Sequence, residues 1–144
     1  MNGSTCQSNV SVDLTLPIHT RFLSLVGSIG EEVAQGVDPY SGDRDALGYN
    51  LNLVLTEAMA NVIEHTAVPA TKDIHITIRA TTDELCIRVR DYGEGFDIDE
   101  IPLPDLDNPT GNGLGIFLMK SLMDSVYYNK APSGNILEMR KKLA

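Results

Sequence analysis

Two runs of strict alternation dominate the middle of the chain. Ile74, Ile76 and Ile78 form the first, Leu85, Ile87 and Val89 the second, and Thr81-Thr82-Asp83-Glu84 joins them. A period of two sends all six apolar side chains to one face of a β-hairpin. The other face carries His75, Thr77, Arg79, Arg88 and Arg90. A sheet that is apolar on one side and polar on the other is covered by helices on one side only.

The flanking segments supply those helices. Residues 1–10 are polar and without period, a flexible N-terminus by expectation, which leaves a single domain over 11–144. Val12, Leu14 and Leu16 alternate as a half-buried strand that stops at Pro17. Phe22, Leu25, Val26, Ile29 and Val33 then recur at helical spacing as far as Gly36. A longer helix is predicted from about 43 to 65. Leu47, Leu51, Val54, Leu55, Ala58 and Val62 make its apolar side, and Pro69 forbids its continuation.

Beyond the hairpin, residues 91–112 are rich in Gly, Pro, Asp and Asn and show no period. Loops of that length inside a domain are uncommon unless they are functional. A third helix at roughly 113–125 is expected to turn Leu114, Phe117, Leu118, Leu122 and Met123 inward. Two short strands, about 126–130 and 135–141, close the chain around Pro132-Ser133-Gly134. The order predicts an α+β two-layer sandwich: a mixed, mostly antiparallel sheet with about three helices on one face.

Charge narrows the function. Twenty Asp and Glu against eleven Lys and Arg give a net charge of −9. Such a field repels a phosphate backbone and argues against direct nucleic-acid binding, though not against one nucleotide in a locally positive pocket. Cys6 and Cys86 lie far apart without metal spacing and read as free thiols of a reducing compartment. No apolar stretch approaches the ~18 residues of a membrane span, and the first residues lack a signal-peptide pattern. A cytoplasmic protein is expected.

Three features could carry chemistry. Glu57, Asn61 and His65 stand at i, i+4 and i+8 on the second helix, one slowly drifting stripe away from most of its apolar side. Alone, such a stripe is also what a solvated helix face shows. A carboxylate one turn from a carboxamide offers a proton acceptor and a neutral oxygen ligand, and Mg²⁺ can be held by one protein oxygen plus phosphates. Asp91-Tyr92-Gly93-Glu94-Gly95-Phe96 follows the second hairpin strand directly. Its glycines allow a tight bend and the approach of a flat ligand, and its aspartate can accept from an exocyclic amine such as that of adenine. Gly111-Asn112-Gly113-Leu114-Gly115 opens the third helix, where bare backbone N–H groups suit an anion. It is neither a dinucleotide fingerprint, because it follows a loop, nor a P-loop, because Lys-Ser/Thr is missing.

In combination and in this order, the three segments closely resemble the boxes of the GHKL superfamily of ATP-binding domains. Residues 57–65 look like the N box, 91–95 and 111–115 like the two glycine boxes, and 98–112 like the ATP lid. Within the superfamily, Gly113 to Met119, Leu122-Met123-Asp124 and the strand after Gly134 resemble the bacterial anti-sigma-factor serine kinases. The resemblance covers roughly residues 12–142. It implies that Glu57 is the general base for a protein serine hydroxyl and that Asn61 holds Mg²⁺ against the ATP phosphates. Asp91 would meet the adenine amine, with Gly93 and Gly95 shaping the base pocket. Gly111, Asn112, Gly113, Leu114 and Gly115 would meet the phosphates, and His65 would border them. The partners it implies are a sigma factor and an anti-anti-sigma protein of STAS type, with homodimerisation through the uncovered sheet face or its edge.

Two positions depart from that pattern. The kinases often carry Arg in or just before the second glycine box, where Gly111 and Asn112 stand here. Residues 91–112 contain no Lys or Arg, and Lys120 is a poorly placed substitute. The last strand usually opens Gly-Thr, the Thr assisting an ordered water at adenine, and this chain has Gly134-Asn135. An amide can keep that hydrogen bond. Two further readings therefore stand beside the kinase: an ATP-sensing module that sequesters its partner without transfer, and a histidine-kinase catalytic domain. The last needs an upstream phospho-accepting histidine, for which only His19, at a helix start, is available before residue 40.

Overall fold

The hairpin read from alternation is the centre of a five-stranded sheet. The computed structural model describes residues 10–66, 72–95 and 114–144. Its elements are β1 (Val10–Leu16), α1 (Leu23–Gly36), α2 (Arg44–Glu64), β2 (Ile74–Ala80), β3 (Glu84–Asp91), α3 (Leu114–Leu122), β4 (Ser125–Asn129) and β5 (Asn135–Lys142). The spatial order is β1-β2-β3-β5-β4. Every neighbouring pair runs antiparallel, so the expected mixed sheet is wholly antiparallel among the described residues. The chain is an α+β two-layer sandwich, as the element order implied.

Register follows from the pleat. Ile76 faces Val89, Ile78 faces Ile87 and Ala80 faces Leu85, while Leu14 of β1 lies beside Ile76. All six apolar hairpin residues are at most 1% exposed, because a one-residue slip would turn every one of them to water. On the other face polar side chains pair across strands. Arg88 meets Glu138 at 2.6 Å, Arg140 meets Glu84 at 2.6 Å, and Arg79 meets Asp13 at 2.9 Å. The Arg88 hydrogen bond holds the Glu138 carboxyl below its ordinary range.

Helix α2 is the hub of the helical layer, buried at Leu47, Leu51, Val54, Leu55, Ala58, Met59 and Val62. Asp43 starts it, its Oδ1 accepting from the backbone N–H of Asp45 at 3.0 Å and of Ala46 at 3.1 Å. The Arg44 guanidinium then reaches back to the carbonyls of Ala34 and Val37, closing the open end of α1. The two helices approach closely at Gly30, where a Cβ would come within 2.9 Å of the Leu51 backbone.

Several expectations are corrected. Val10 belongs to β1, paired with Ala80, rather than to a loose end; residues 1–9, Cys6 among them, lie outside the described residues. Leu25, placed on the apolar side of α1, is 45% exposed, and Gly27, Gly30 and Ala34 join Val26 and Val33 inside. Helix α3 ends at Leu122, and β4 begins three residues later. Its buried side is Ile116 and Met119, continued by Met123, whereas Leu114, Phe117, Leu118 and Leu122 are only partly buried. Leu114–Leu122 is apolar almost all round, so its period alone does not fix which stripe faces in. The expected lid, with Gly111, Asn112 and Gly113, lies outside the described residues. Cys86 is a free thiol, and no helix of the described residues is long and apolar enough to cross a membrane.

Candidate functional site

One edge of α2, the end of β3, the start of β5 and the start of α3 meet at one end of the sandwich. Asp91 and Asn135 are register partners across β3 and β5, and both are buried, at 6% and 1% exposure. The Asn135 amide donates to Asp91 Oδ1 and to the Gly93 carbonyl, each at 3.0 Å. The Gly93 N–H donates to the same Asp91 Oδ1 at 2.9 Å. A three-residue turn is thus held at both its polar ends. Both donors converge on Oδ1, so among the described residues the second carboxylate oxygen of Asp91 remains to accept from a ligand.

The glycines of this turn are required by their surroundings. A Cβ on Gly93 would meet Thr66 Oγ1 at 2.6 Å. Gly95 has φ +74°, the left-handed region, and a Cβ there would meet the Tyr128 hydroxyl at 2.7 Å. Between the turn and α2 lies a small cavity lined by Ala58, Asn61, Val62, His65, Val89, Asp91, Gly95, Tyr128 and Leu137. At about 10 Å³ it has room for about one water, so a flat base would have to part its apolar walls.

The polar stripe of α2 faces this region. Asn61 Nδ2 is buried and finds no hydrogen-bond partner among the described residues. An unpaired buried amide is costly and suits an external partner. His65 caps the helix, its N–H donating to Asn61 O at 3.0 Å, and its side chain lines the cavity. Glu57 lies one turn before Asn61, against the start of α3: a Cβ on Gly115 would fall 2.6 Å from Glu57 Oε2. Burial pushes the Glu57 carboxyl above its ordinary 4.5. From Glu57 to His65 is about 12 Å of helix, enough to follow a nucleotide from base to terminal phosphate.

The described part of the expected site therefore gathers in one place. Glu57, Asn61, His65, Asp91, Gly93, Gly95, Gly115 and Asn135 take part, while Leu114 opens α3 and is partly buried. Lys120 is exposed on α3. His19 has a structural use: its Nδ1 accepts from the Arg21 N–H at 3.0 Å and starts the turn before α1. Sequence reading missed Thr66 and Tyr128. Neither belongs to a motif, and only their contacts with Gly93 and Gly95 reveal them.

The residues present fit a nucleotide with its metal. Asp91 offers an acceptor to a base amine, and Asn61 in the same cavity wall, its Nδ2 buried and unpaired among the described residues, offers its amide oxygen to a hard cation. Comparisons with known proteins agree in kind. Residues 23–141 match the histidine kinase-like ATPase domain. The serine-protein kinase RsbW of Listeria monocytogenes is 30% identical over 134 residues, 85% of this chain and 82% of that protein. RsbW of Halalkalibacterium halodurans is 28% identical over 92% of this chain and 83% of its own length. The serine/threonine-protein kinase BtrW of Bordetella bronchiseptica is 29% identical over 65% of this chain and 69% of its own. Among solved structures, the histidine kinase domain of the blue-light activated histidine kinase EL346 of Erythrobacter litoralis superposes with a TM-score of 0.51. At 17% identity, covering 88% of this chain and 61% of that one, it shows a shared fold.

Proposed function

The chain belongs to the histidine kinase-like ATPase domain family, among relatives named serine-protein kinase RsbW, and from that premise we propose that it is an ATP-dependent protein serine kinase acting as an anti-sigma factor. Its phosphate acceptor is an anti-anti-sigma protein of STAS type. It holds a sigma factor once that acceptor is phosphorylated, and it works as a cytoplasmic homodimer.

What carries the proposal is the Glu57 carboxylate lying against Gly115 at the start of α3, the helix that the second glycine box opens. A base there can take the proton of a serine hydroxyl brought to the terminal phosphate, and burial makes it a stronger proton acceptor than a free carboxylate. Asp91 orients the adenine end through the amine. Asn61 holds the phosphate end through its amide, and His65, in the cavity wall with Asp91 and Gly95, borders the base end rather than the phosphates. A Mg²⁺ ion would sit at Asn61 and supply charge neutralisation for the transferring group. Phosphoryl transfer asks mainly for positioning and neutralised charge, so these few groups suffice in kind.

One observation favours a second reading. Residues 91–112 hold no Lys or Arg, and a cation near the transferring phosphate can be worth ~10³-fold in related reactions. A module that binds ATP and sequesters its partner without transfer needs no such cation. Incubation of the protein with γ-labelled ATP, Mg²⁺ and the STAS-type partner separates the two. Label on a partner serine supports the kinase; nucleotide binding without label selects the sensing module. A titration that shows no nucleotide binding removes both.

A further inference from the structure

Thr66, the second residue after α2, enters the site as a neighbour of Gly93. Its Oγ1 is buried and has no hydrogen-bond partner among the described residues. It lies 2.6 Å from the position a Gly93 Cβ would take, and Asp91 Oδ1 lies 3.3 Å from the same point. A hydroxyl and a carboxylate therefore flank the point where a side chain on Gly93 would begin.

The turn itself does not need that hydroxyl. The Gly93 N–H is taken by Asp91 and the Gly93 carbonyl by Asn135. A valine would fill the same volume without burying an unpaired polar group, which costs the fold. A hydroxyl kept unpaired beside a carboxylate that already holds two donors is suited to an outside partner. The amine that Asp91 is placed to accept from, on the six-membered ring of adenine, has N1 on one flank and, across the ring fusion, N7 on the other.

We infer that Thr66 is a base-reading residue, its hydroxyl hydrogen-bonding a ring nitrogen adjacent to the adenine amine that Asp91 accepts. This rests on the ATP reading above and adds a second polar contact at the base end. Thr66 positions the purine and takes no part in the transfer of phosphate.

Calorimetric titration of the intact chain tests it with ATP, 1-deaza-ATP and 7-deaza-ATP. Wild type should bind one of the deaza analogues about three- to tenfold more weakly than ATP, the range of one neutral hydrogen bond. Thr66→Val should weaken ATP by the same factor and leave the affinity for that one analogue unchanged. Thr66→Ser should restore ATP binding to within about twofold, because it keeps the hydroxyl. The melting temperature of ligand-free Thr66→Val should equal or exceed that of wild type. The inference is overturned if wild type binds both analogues as tightly as ATP, if Thr66→Val binds ATP like wild type, or if Thr66→Val weakens all three ligands by one common factor. The first outcome uses no variant, so misfolding cannot obscure it. Should wild type bind none of the nucleotides, the ATP reading falls and takes this inference with it.

Discussion

Glu57 of α2 and Gly115 of α3 are fitted to each other: a single methyl on the glycine would stand 2.6 Å from the carboxylate oxygen Oε2. Two helices joined through the hairpin and a long intervening segment thus set the position of one oxygen.

Gly115→Ala should separate stability from activity. Alanine favours a helix over glycine by about 1 kcal/mol, and the atom it meets is the end of a flexible side chain, so the melting temperature should change little. The carboxylate must move away, and a displacement near 1 Å at a reacting group can cost about 10²-fold in rate. Phosphotransfer to the STAS-type partner, measured beside a thermal melt, checks both. Full activity would show that the carboxylate position is unimportant.

Glu57→Gln should lower transfer by about 10²- to 10⁴-fold while ATP affinity stays near wild type. The wild-type rate should fall as pH drops through a value above the ordinary 4.5, because burial raises this carboxyl and the base acts only when ionised. The same shift acts on the fold. Stability contributed by the neutral carboxyl is complete below the unfolded-state value and is lost as pH rises through the folded-state value. The glutamine variant should escape that loss and melt slightly higher at neutral pH. A rate profile flat across the acidic range would remove Glu57 as base.

Asn135→Ala removes two hydrogen bonds at once and leaves the Gly93 carbonyl without its donor. A fully buried acceptor left unpaired costs about 1–3 kcal/mol, and this carbonyl is part-buried, so urea denaturation should show a loss toward the lower end of that range. ATP binding should weaken as well, since Asp91 loses one of the groups that orient it. Asn135→Thr, which keeps one donor, should fall between.

Gly95→Ala strains a residue at φ +74° and drives a methyl to within 2.7 Å of the Tyr128 hydroxyl and 3.1 Å of the Asn135 amide. Backbone strain of about 1–2 kcal/mol is expected, with loss of nucleotide binding by more than about tenfold because the base cavity is filled. Retained affinity would place the base elsewhere.

On the open face, Glu138 is held ionised by Arg88 at 2.6 Å. A depressed carboxyl contributes stability that is present above its unfolded-state value and disappears as pH falls through the folded one. Arg88 is half exposed, so Glu138→Gln should cost less than about 1 kcal/mol at neutral pH, and nothing once the wild-type carboxyl is protonated. Chemical denaturation at neutral and acidic pH measures the difference.

How much of this was legible beforehand varies by element. The hairpin was, because Ile74, Ile76, Ile78, Leu85, Ile87 and Val89 permit one register. So was the apolar side of α2, apart from Gly48, which lies against α1, and Met59, which is buried outside the stripe because α2 also packs against α3. The inward side of α3 was not, since Phe117 and Leu118 are as apolar as Ile116 and Met119, and only the neighbouring elements decide between the two stripes. At the site, glycine spacing and the 57-61-65 stripe pointed to the groups that meet. Thr66 stayed hidden because a lone threonine after a helix has no pattern; its meaning lies in what surrounds its oxygen.

The pairing of Asp91 with Asn135 also bears on the order of folding. The two residues are 44 positions apart, and the amide comes from a strand that follows both hairpin strands and α3 along the chain. Until β5 has joined the edge of β3, the Gly93 carbonyl lacks its donor and Asp91 has only one of its two. Closure of the sheet and setting of this turn are therefore one event.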